Sequence, residues 1–439
     1  MSNRAFVSFP VADLYKTKQQ VLNWTSRFNT CCFLDNQEHK SSTHSFECLA
    51  AVGEKSSLEA KSGNAFEQLN QYSSKENDWL FGHFSYDLKA ETNGVPSQLP
   101  DQIGFPDLFF FVPRIIVLLN HDRLSIGLFE DNHDQVLKEI QNSPVMTEIK
   151  EGDPVIVRQR VEKPEYIRII DKLKEHIFRG DCYEINFCQE FYAKQVDLDP
   201  IPLFQLLNQN SPSPFSAYYT VSGKYLLCAS PERYLKRKGD SILSQPIKGT
   251  APRDLDNKQQ DDRLKEDLYN SEKDRAENVM VVDLVRNDLS RICRPDSVKV
   301  EELFGIYSFS QVHQMISTIH GRLKEGLGWT QMIASTFPMG SMTGAPKKRV
   351  LELIEKYEKS KRGLFSGAVG YVKPDQDFDF NVVIRSLFYN KPERYLSYFA
   401  GSGITAKSDP EKEYEECLMK VSAIEKILKN PAGTRRRGQ

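Results

Sequence analysis

The sequence predicts an α/β body in which large β-sheets are covered by helices. Three runs have the length and composition of buried strands: WLFGHFSYDLK, DLFFFVPRIIVLLN and CYEINFCQEFYA. Helical patterns frame these strand-rich segments, and the last of them closes the chain. With 439 residues, 39% of them hydrophobic and 27% charged, the chain can bury a sizeable core.

The first region, residues 1–150, mixes short apolar runs with polar stretches. We interpret the run EKSSLEAKSGNAFEQLNQYSSKEND as a polar, serine-rich connector. The run QNSPVMTEIKEGDPV has the composition of a linker and separates this region from a second one, residues 155–430. The remaining residues, 431–439, form a basic tail that we expect to be disordered.

The second region begins with a predicted helix that has Pro164 near its start and Gly180 at its end. In the strand that follows, Glu184, Asn186 and Cys188 share one face, because successive side chains alternate across a strand. The run SEKDRAENVMVVDLVRNDLSRI predicts a second helix, and DPEKEYEECLMKVSAIEKILK predicts the last one. The runs SILSQPIKGT and FDFNVVIRSLFYN predict further strands.

Charge and composition exclude several classes of function. The formal net charge is −2, which argues against binding to nucleic acid or to a membrane surface. No apolar run reaches membrane-spanning length, and MSNRAFVSFP lacks the apolar core of a signal peptide. The eight cysteines form no CxxC pair and the histidines no HExxH pattern. We therefore expect a cytoplasmic protein with free thiols that is not a zinc hydrolase.

Two pairs of acidic residues lie on predicted helices. Asp274 and Glu277 are three residues apart on one helix, and Glu413 and Glu416 have the same spacing on the last helix. Residues at this spacing share a helix face, where like charges repel. Taken alone, the pairs fit two solvated helix faces. If the helices converge, the four carboxylates form an all-oxygen site suited to Mg²⁺.

A set of short motifs in fixed order resembles the chorismate-utilising enzymes. This family comprises anthranilate synthase component I, aminodeoxychorismate synthase component I, and the isochorismate and salicylate synthases. The resemblance is dense from about residue 155 to residue 428 and thinner upstream. The motifs are SPER, PIKGT, KDRAENVMVVDLVRNDLSRI, FPMGSMTGAPK, GAVGY, IRS, AGSGI and DPEKEYEE.

The resemblance implies an anthranilate synthase component I-like fold, an α+β arrangement of antiparallel-rich sheets packed face to face in α/β/β/α layers. It implies that Glu277 and Glu416 bind Mg²⁺ directly, and that Asp274 and Glu413 hold metal-bound waters. Glu232 of SPER would be the general acid at the leaving hydroxyl of chorismate, so we expect burial to raise its pKa.

Other residues of these motifs are implied to contact the substrate. Arg385 offers a bidentate fork for a carboxylate. Two glycines would let the backbone approach an anion closely. The full set of implied substrate-binding residues is Ser341, Tyr371, Arg385, Gly401, Gly403 and Lys420, and Gln314 is added because it occupies a position where many relatives carry histidine. We expect the neighbouring His313 to point to the other face of its strand.

Lys248 in PIKGT separates the branches of this family. The anthranilate branch usually carries PIAGT, whereas PIKGT is associated with aminodeoxychorismate synthase. There the lysine is implied to attack ring carbon C2 while the C4 hydroxyl leaves, after which ammonia attacks C4 and expels the lysine. An attacking lysine must be uncharged, so its pKa must fall. At the position of Glu184, the water-adding branch of the family carries lysine and the amine-forming branches usually carry glutamine. The glutamate of this chain matches neither branch, and its role stays open.

The resemblance also implies a partner. No cysteine here has the glycine-flanked setting of a glutaminase nucleophile. A separate glutamine amidotransferase subunit would therefore supply ammonia. Anthranilate synthase component I remains the alternative, sharing the scaffold but opposed by Lys248. Anthranilate synthases bind tryptophan through an LLES-like segment, where this chain reads FECLA, so we expect no tryptophan inhibition.

Overall fold

A computed structural model describes residues 4–39, 45–145, 154–309 and 311–429. The predicted basic tail, residues 431–439, lies outside the described residues, as does most of the predicted linker.

The described residues contain eleven α-helices, labelled here in chain order. They are α1 (Leu14–Thr25), α2 (Ala65–Glu76), α3 (Lys89–Asn93), α4 (His133–Gln141), α5 (Lys163–Phe178), α6 (Pro200–Asn210), α7 (Lys258–Asn270), α8 (Glu272–Ile292), α9 (Trp329–Thr336), α10 (Lys347–Tyr357) and α11 (Pro410–Lys429).

Twenty β-strands are described in the same ranges. In the first region they are β1 (Ala5–Pro10), β2 (Cys31–Asp35), β3 (Cys48–Ala60), β4 (Leu80–Phe84), β5 (Leu108–Leu119) and β6 (Arg123–Leu128). The others are β7 (Arg158–Gln159), β8 (Glu184–Lys194), β9 (Phe215–Val221), β10 (Lys224–Ser230), β11 (Arg233–Lys238), β12 (Ser241–Gln245), β13 (Ile247–Pro252), β14 (Lys299–Ser308), β15 (Val312–Arg322), β16 (Gly344–Ala345), β17 (Ala368–Val372), β18 (Phe378–Asn381), β19 (Ser386–Asn390) and β20 (Tyr395–Ile404).

The strands pair antiparallel and connect edge to edge into one network. Strand β2 pairs with β3 and with β9, and β4 pairs with β5 and with β17. Strands of the first region therefore hydrogen-bond directly to strands of the second. This confirms the predicted antiparallel-rich sheet architecture, while the boundary between the two regions stays a prediction.

The core lies on both faces of the sheet. Neighbouring residues of one strand contribute to different hydrophobic clusters, as Cys31 and Cys32 do in β2 and Tyr218 and Tyr219 do in β9. This alternation follows from the two-residue period of a strand. Helices α2, α8 and α9 pack into one cluster, and α1, α5, α6 and α11 pack into the other, which confirms that helices cover the sheet.

Two predicted elements differ from the structure. The expected serine-rich connector is wrong, because it contains the end of β3 and helix α2. This helix buries few side chains, Ala65, Phe66 and Leu69, so most of its residues are polar and its apolar period is faint. The single strand expected over residues 378–390 is split into β18 and β19, because Arg385 has φ +51° and cannot continue the ladder.

Among the described helices, none combines the length and the apolarity needed to cross a lipid bilayer. All eight cysteines are buried and carry free thiols.

Candidate active site

Lys248 lies at an irregularity in strand β13. Ile247 pairs with Ile316 of β15, but the next pair is Thr250 with Gln314. Three steps along β13 thus match two along β15, which leaves one extra residue and forms a bulge. Gly249 has φ +92°, a conformation that side-chain-bearing residues rarely adopt. The bulge therefore interrupts the regular alternation of side chains along β13 at Lys248.

The Lys248 side chain is buried against strand β8. Its Nζ donates a hydrogen bond to Glu184 Oε1 over 2.8 Å, and both side chains are largely shielded from solvent. Gly403 of β20 makes room for this contact, because a Cβ there would lie 2.6 Å from Glu184 Oε1 and 2.7 Å from Lys248 Nζ. The structure therefore gives Gly403 a steric role at the site.

Charges around Lys248 work against its burial. Burial by itself lowers the pKa of Lys248, but Glu184, then Glu277 and Glu416, together raise it above its ordinary value. The ammonium form is therefore stabilised in this structure. This is opposite to the fall in pKa that a nucleophilic lysine requires.

Glu232 lies between β10 and β11 and is 4% exposed. Burial raises the pKa of its carboxyl to about 7, against smaller opposing effects of Ser341 and Lys248. The Ser341 hydroxyl is close enough to influence the acid, although no hydrogen bond of ordinary geometry joins the two groups. A carboxyl with this pKa is partly protonated near neutral pH, as expected for a general acid.

Helices α8 and α11 place three acidic side chains around the ammonium group of Lys273. Lys273 Nζ lies 3.8 Å from Glu277 Oε1, 3.5 Å from Glu413 Oε1 and 3.6 Å from Glu416 Oε2. The predicted convergence of the two helices is therefore present. Asp274 lies beside the bulge, where a Cβ on Gly249 would come within 3.1 Å of its Oδ1.

The carboxylates differ in charge state. Burial raises the pKa of Glu277 to about 7, against the opposing effects of Lys248 and Lys273. Burial also acts to raise the pKa of Glu416, but Lys420 outweighs it, with help from Lys273, so the net pKa falls to about 2. Lys420 Nζ lies 2.8 Å from Glu416 Oε1 and donates to Gly401 O over 2.8 Å.

The donor set suits a hard cation. Glu277 Oε1 and Glu413 Oε2 are buried and accept no hydrogen bond from any described residue. Buried carboxylate oxygens without donors are costly, and a divalent cation would satisfy them. Within the described ranges, however, no three Asp, Glu, His or Cys side chains converge closely enough to hold a metal as they stand. The ammonium of Lys273 lies among these carboxylates instead.

Arg385 is a partly buried cation without a counter-ion among the described residues. Its side chain makes no hydrogen bond or ion pair with any described residue, and burial lowers its pKa. Buried charges in proteins are usually paired, so an unpaired guanidinium indicates a place for an external anion.

Gln314 and His313 occupy opposite faces of β15. Gln314 is 2% exposed and its Oε1 has no hydrogen-bond partner in the described part of the chain. His313 contacts Ser308 Oγ over 2.8 Å and Asp261 Oδ1 over 3.0 Å. The expected orientation of His313 away from Gln314 fits these contacts. Gly401 is also required by packing, because a Cβ there would lie 1.9 Å from Phe187 O.

Tyr371 is not brought to the carboxylates. Its ring packs against Phe46, Trp79 and Phe81, with ring centroids 6.1, 5.6 and 6.1 Å away. Tyr371 and Phe46 also line a cavity of about 60 Å³, together with Glu47. The substrate contact expected of Tyr371 stays a prediction, and the structure places its ring among these aromatic side chains.

A buried ion pair that sequence reasoning missed supports the floor of the site. Arg362 donates to Glu358 Oε1 over 2.7 Å, to Asn186 O over 2.7 Å and to Met342 O over 2.8 Å. These bonds tie β8 to the turn that carries Ser341. Only the i,i+4 spacing of Glu358 and Arg362 was visible in the sequence.

The fold, helices over an antiparallel sheet, agrees with the comparison with known families. The chorismate binding enzyme family matches residues 27–426, and the chain belongs to this family.

Individual relatives refine this result. Aminodeoxychorismate synthase component 1 of Klebsiella aerogenes is 35% identical over 346 residues, which are 78% of this chain and 75% of that protein. Anthranilate synthase component 1 of Thermus thermophilus is 32% identical over 359 residues, 80% of this chain and 77% of that protein. The crystal structure of anthranilate synthase component I from Streptococcus pneumoniae TIGR4 covers 88% of this chain and 94% of its own, with a TM-score of 0.76 and 23% identity. The predicted fold is thereby confirmed.

Proposed function

We propose that this chain is component I of an aminodeoxychorismate synthase, which converts chorismate and ammonia to 4-amino-4-deoxychorismate for p-aminobenzoate and folate synthesis. The observation that carries the proposal is Lys248, a buried lysine held in a strand bulge within electrostatic reach of Glu232, Glu277 and Glu416. The curated relatives named aminodeoxychorismate synthase component 1 support the same branch.

Glu232 would act as the general acid. Chorismate loses its C4 hydroxyl group. This group is a poor leaving group unless an acid protonates it in the transition state. With a pKa of about 7, Glu232 holds that proton for part of the time near neutral pH. The bond from C4 to oxygen breaks, and the oxygen departs as water.

Lys248 would be the nucleophile. Its neutral amine adds to ring carbon C2, the ring double bond shifts, and the C4–O bond breaks. Ammonia then adds at C4, the double bond shifts back, and the bond between C2 and Lys248 Nζ breaks. The added nitrogen releases one proton, which restores the acid form of Glu232. The enolpyruvyl group stays on the product, and an amino group replaces the hydroxyl at C4.

Glu277 and Glu416 would bind Mg²⁺ directly, and Asp274 and Glu413 would hold metal-bound waters. Bound Mg²⁺ would neutralise the ring carboxylate and make the conjugated ring a better electron acceptor. Arg385 would pair with a substrate carboxylate, and its lack of an acidic partner in the described part of the chain supports this role. Lys420 and the Gly401–Gly403 backbone would line the same anion site, and Ser341 and Gln314 would contact the substrate.

The ammonia would come from a glutamine amidotransferase subunit. The term component 1 in the names of the relatives indicates a multi-component enzyme. Every cysteine of this chain is buried, which argues against an accessible glutaminase nucleophile here. We propose the cytoplasm as its location, where such thiols stay reduced.

The experiment is a product assay. The protein is incubated with chorismate, Mg²⁺ and an ammonium salt, and a lyase that releases p-aminobenzoate from aminodeoxychorismate is added. The proposal predicts p-aminobenzoate only when the lyase is present. Anthranilate as sole product would assign the chain to the anthranilate branch, which the relative from Thermus thermophilus keeps open.

A further inference from the structure

The contact between Glu184 and Lys248 presents a chemical problem. Lys248 must be neutral to attack a ring carbon, yet it is buried and bound to a carboxylate 2.8 Å away. An ion pair that never exchanged its proton would make Lys248 a poor nucleophile. The proton therefore needs an acceptor inside the site.

The charged groups around Lys248 come from four parts of the fold. Glu184 lies on β8, Glu277 on α8, Glu416 on α11, and Glu232 between β10 and β11. Each of them interacts electrostatically with Lys248. Only Glu184, among the described residues, accepts a hydrogen bond from Nζ.

Glu184 is also placed with little freedom to move. Its backbone pairs with Ala345 of β16, and a Cβ at Gly344 would lie 2.0 Å from its carbonyl oxygen. Its carboxylate and Lys248 Nζ together fill the space above Gly403. The two groups are thus held in a geometry suited to direct proton transfer.

The second oxygen distinguishes Glu184 from a structural carboxylate. Glu184 Oε2 is buried and has no hydrogen-bond partner in the described part of the chain. Glu358, in contrast, uses both oxygens to accept bonds from Arg362, and its Oε1 also accepts from Cys188 N. A structural ion pair saturates its carboxylate, whereas Glu184 keeps one oxygen available.

We propose that Glu184 is the proton acceptor for Lys248 in the proposed amination, on which this inference rests. When chorismate fills the site, the proton moves from Nζ to a Glu184 oxygen, leaving a neutral amine and a neutral acid. When ammonia has added at C4 and the C2–N bond breaks, the acid returns its proton to the departing amine. The pair ends each turnover in its starting state, and no other reactant is needed.

The substitution Glu184→Gln tests this assignment, because the amide keeps the shape and can still accept a hydrogen bond but takes no proton. We expect kcat to fall by about 100-fold near pH 7.5, a typical effect of losing a general base. The KM for chorismate should stay within about twofold of the wild-type value. The loss should shrink as pH rises, because solvent hydroxide then takes the proton from a growing fraction of the Lys248 ammonium groups.

A matched control lies on the same strand. Glu190 of β8 is also buried, and its oxygens bond Arg160, Ser360 and Tyr395. Glu190→Gln should lower stability and leave the shape of the pH–rate profile unchanged. Glu184→Asp, which keeps the acid, should retain the wild-type profile even if its rate is lower.

Wild-type kcat and an unchanged pH profile in Glu184→Gln would overturn the proposal. If that variant does not fold, an altered profile in Glu184→Asp would overturn it. Failure of the wild-type protein to aminate chorismate would refute the proposed function instead, and the two failures are separate observations.

Discussion

Replacing Glu232 by glutamine should abolish activity and stabilise the fold at alkaline pH. The native pKa of this carboxyl is about 7, above its ordinary value of 4.5, and burial is the main cause. Above pH 7 the buried site must hold a charged carboxylate, which is costly. Glutamine fills the same space without a charge.

The magnitude follows from the change in pKa. Because the native state binds this proton more tightly than the unfolded chain does, stability falls as pH rises from 4.5 to about 7. This loss of stability is absent below pH 4.5 and complete above about pH 7. A rise from 4.5 to about 7 corresponds to about 3 kcal/mol. Glu232→Gln should therefore exceed the wild type in stability by about 3 kcal/mol near pH 8.5.

Urea unfolding of both proteins at about pH 5 and about pH 8.5 measures this difference, and chorismate turnover measures the loss of activity. Arg233, which follows Glu232 in the chain, contrasts with it, because its guanidinium forms a structural ion pair with Asp379. The reasoning is refuted if the stability difference between variant and wild type is the same at both pH values, or if the variant keeps full turnover.

Four other changes test separate parts of the site. Lys248→Ala and Lys248→Arg should each reduce the amination rate by about 100-fold, because neither side chain provides a neutral amine. Turnover measures the rate, and calorimetry should show that chorismate still binds. Full activity in either variant would remove the covalent role of Lys248. Lys273→Met should tighten Mg²⁺ binding about fivefold in calorimetry, since an ammonium now lies among the carboxylates; weaker binding would contradict this. Arg362→Met should lower the free energy of unfolding, measured in urea, by about 3–5 kcal/mol, because it leaves the buried Glu358 carboxylate without its partner. The double variant that also carries Glu358→Met should recover much of this loss. An equal loss in both variants would refute the argument. Added tryptophan should change neither the rate of chorismate turnover nor the melting temperature. The cavity beside Tyr371 has room for only about four waters and is therefore too small for tryptophan. Inhibition by tryptophan would contradict this prediction.

The sequence was sufficient for the elements with strong periodicity. Helices α5, α8 and α11 begin and end close to their predicted bounds, because their apolar stripes and end signals agree. Convergence of Glu277, Glu413 and Glu416 followed from the resemblance, since spacing alone allowed two solvated faces.

Contacts that depend on strand register could not be predicted. The pairing of Glu184 with Lys248 requires β8, β13 and β20 to meet in one register, and no local pattern specifies that. The aromatic surroundings of Tyr371 could not be predicted for the same reason. Arg385 was expected inside a continuous strand, and only its left-handed backbone conformation shows the break between β18 and β19.

The central claim is that nitrogen is added at ring carbon C4 with the enolpyruvyl group retained. The most direct measurement is nuclear magnetic resonance of the product formed from chorismate and ¹⁵N-labelled ammonium in the presence of Mg²⁺. The account predicts ¹⁵N bonded to C4 in a product that keeps its enolpyruvyl ether. Label at C2 with release of pyruvate, the outcome for anthranilate, would contradict it.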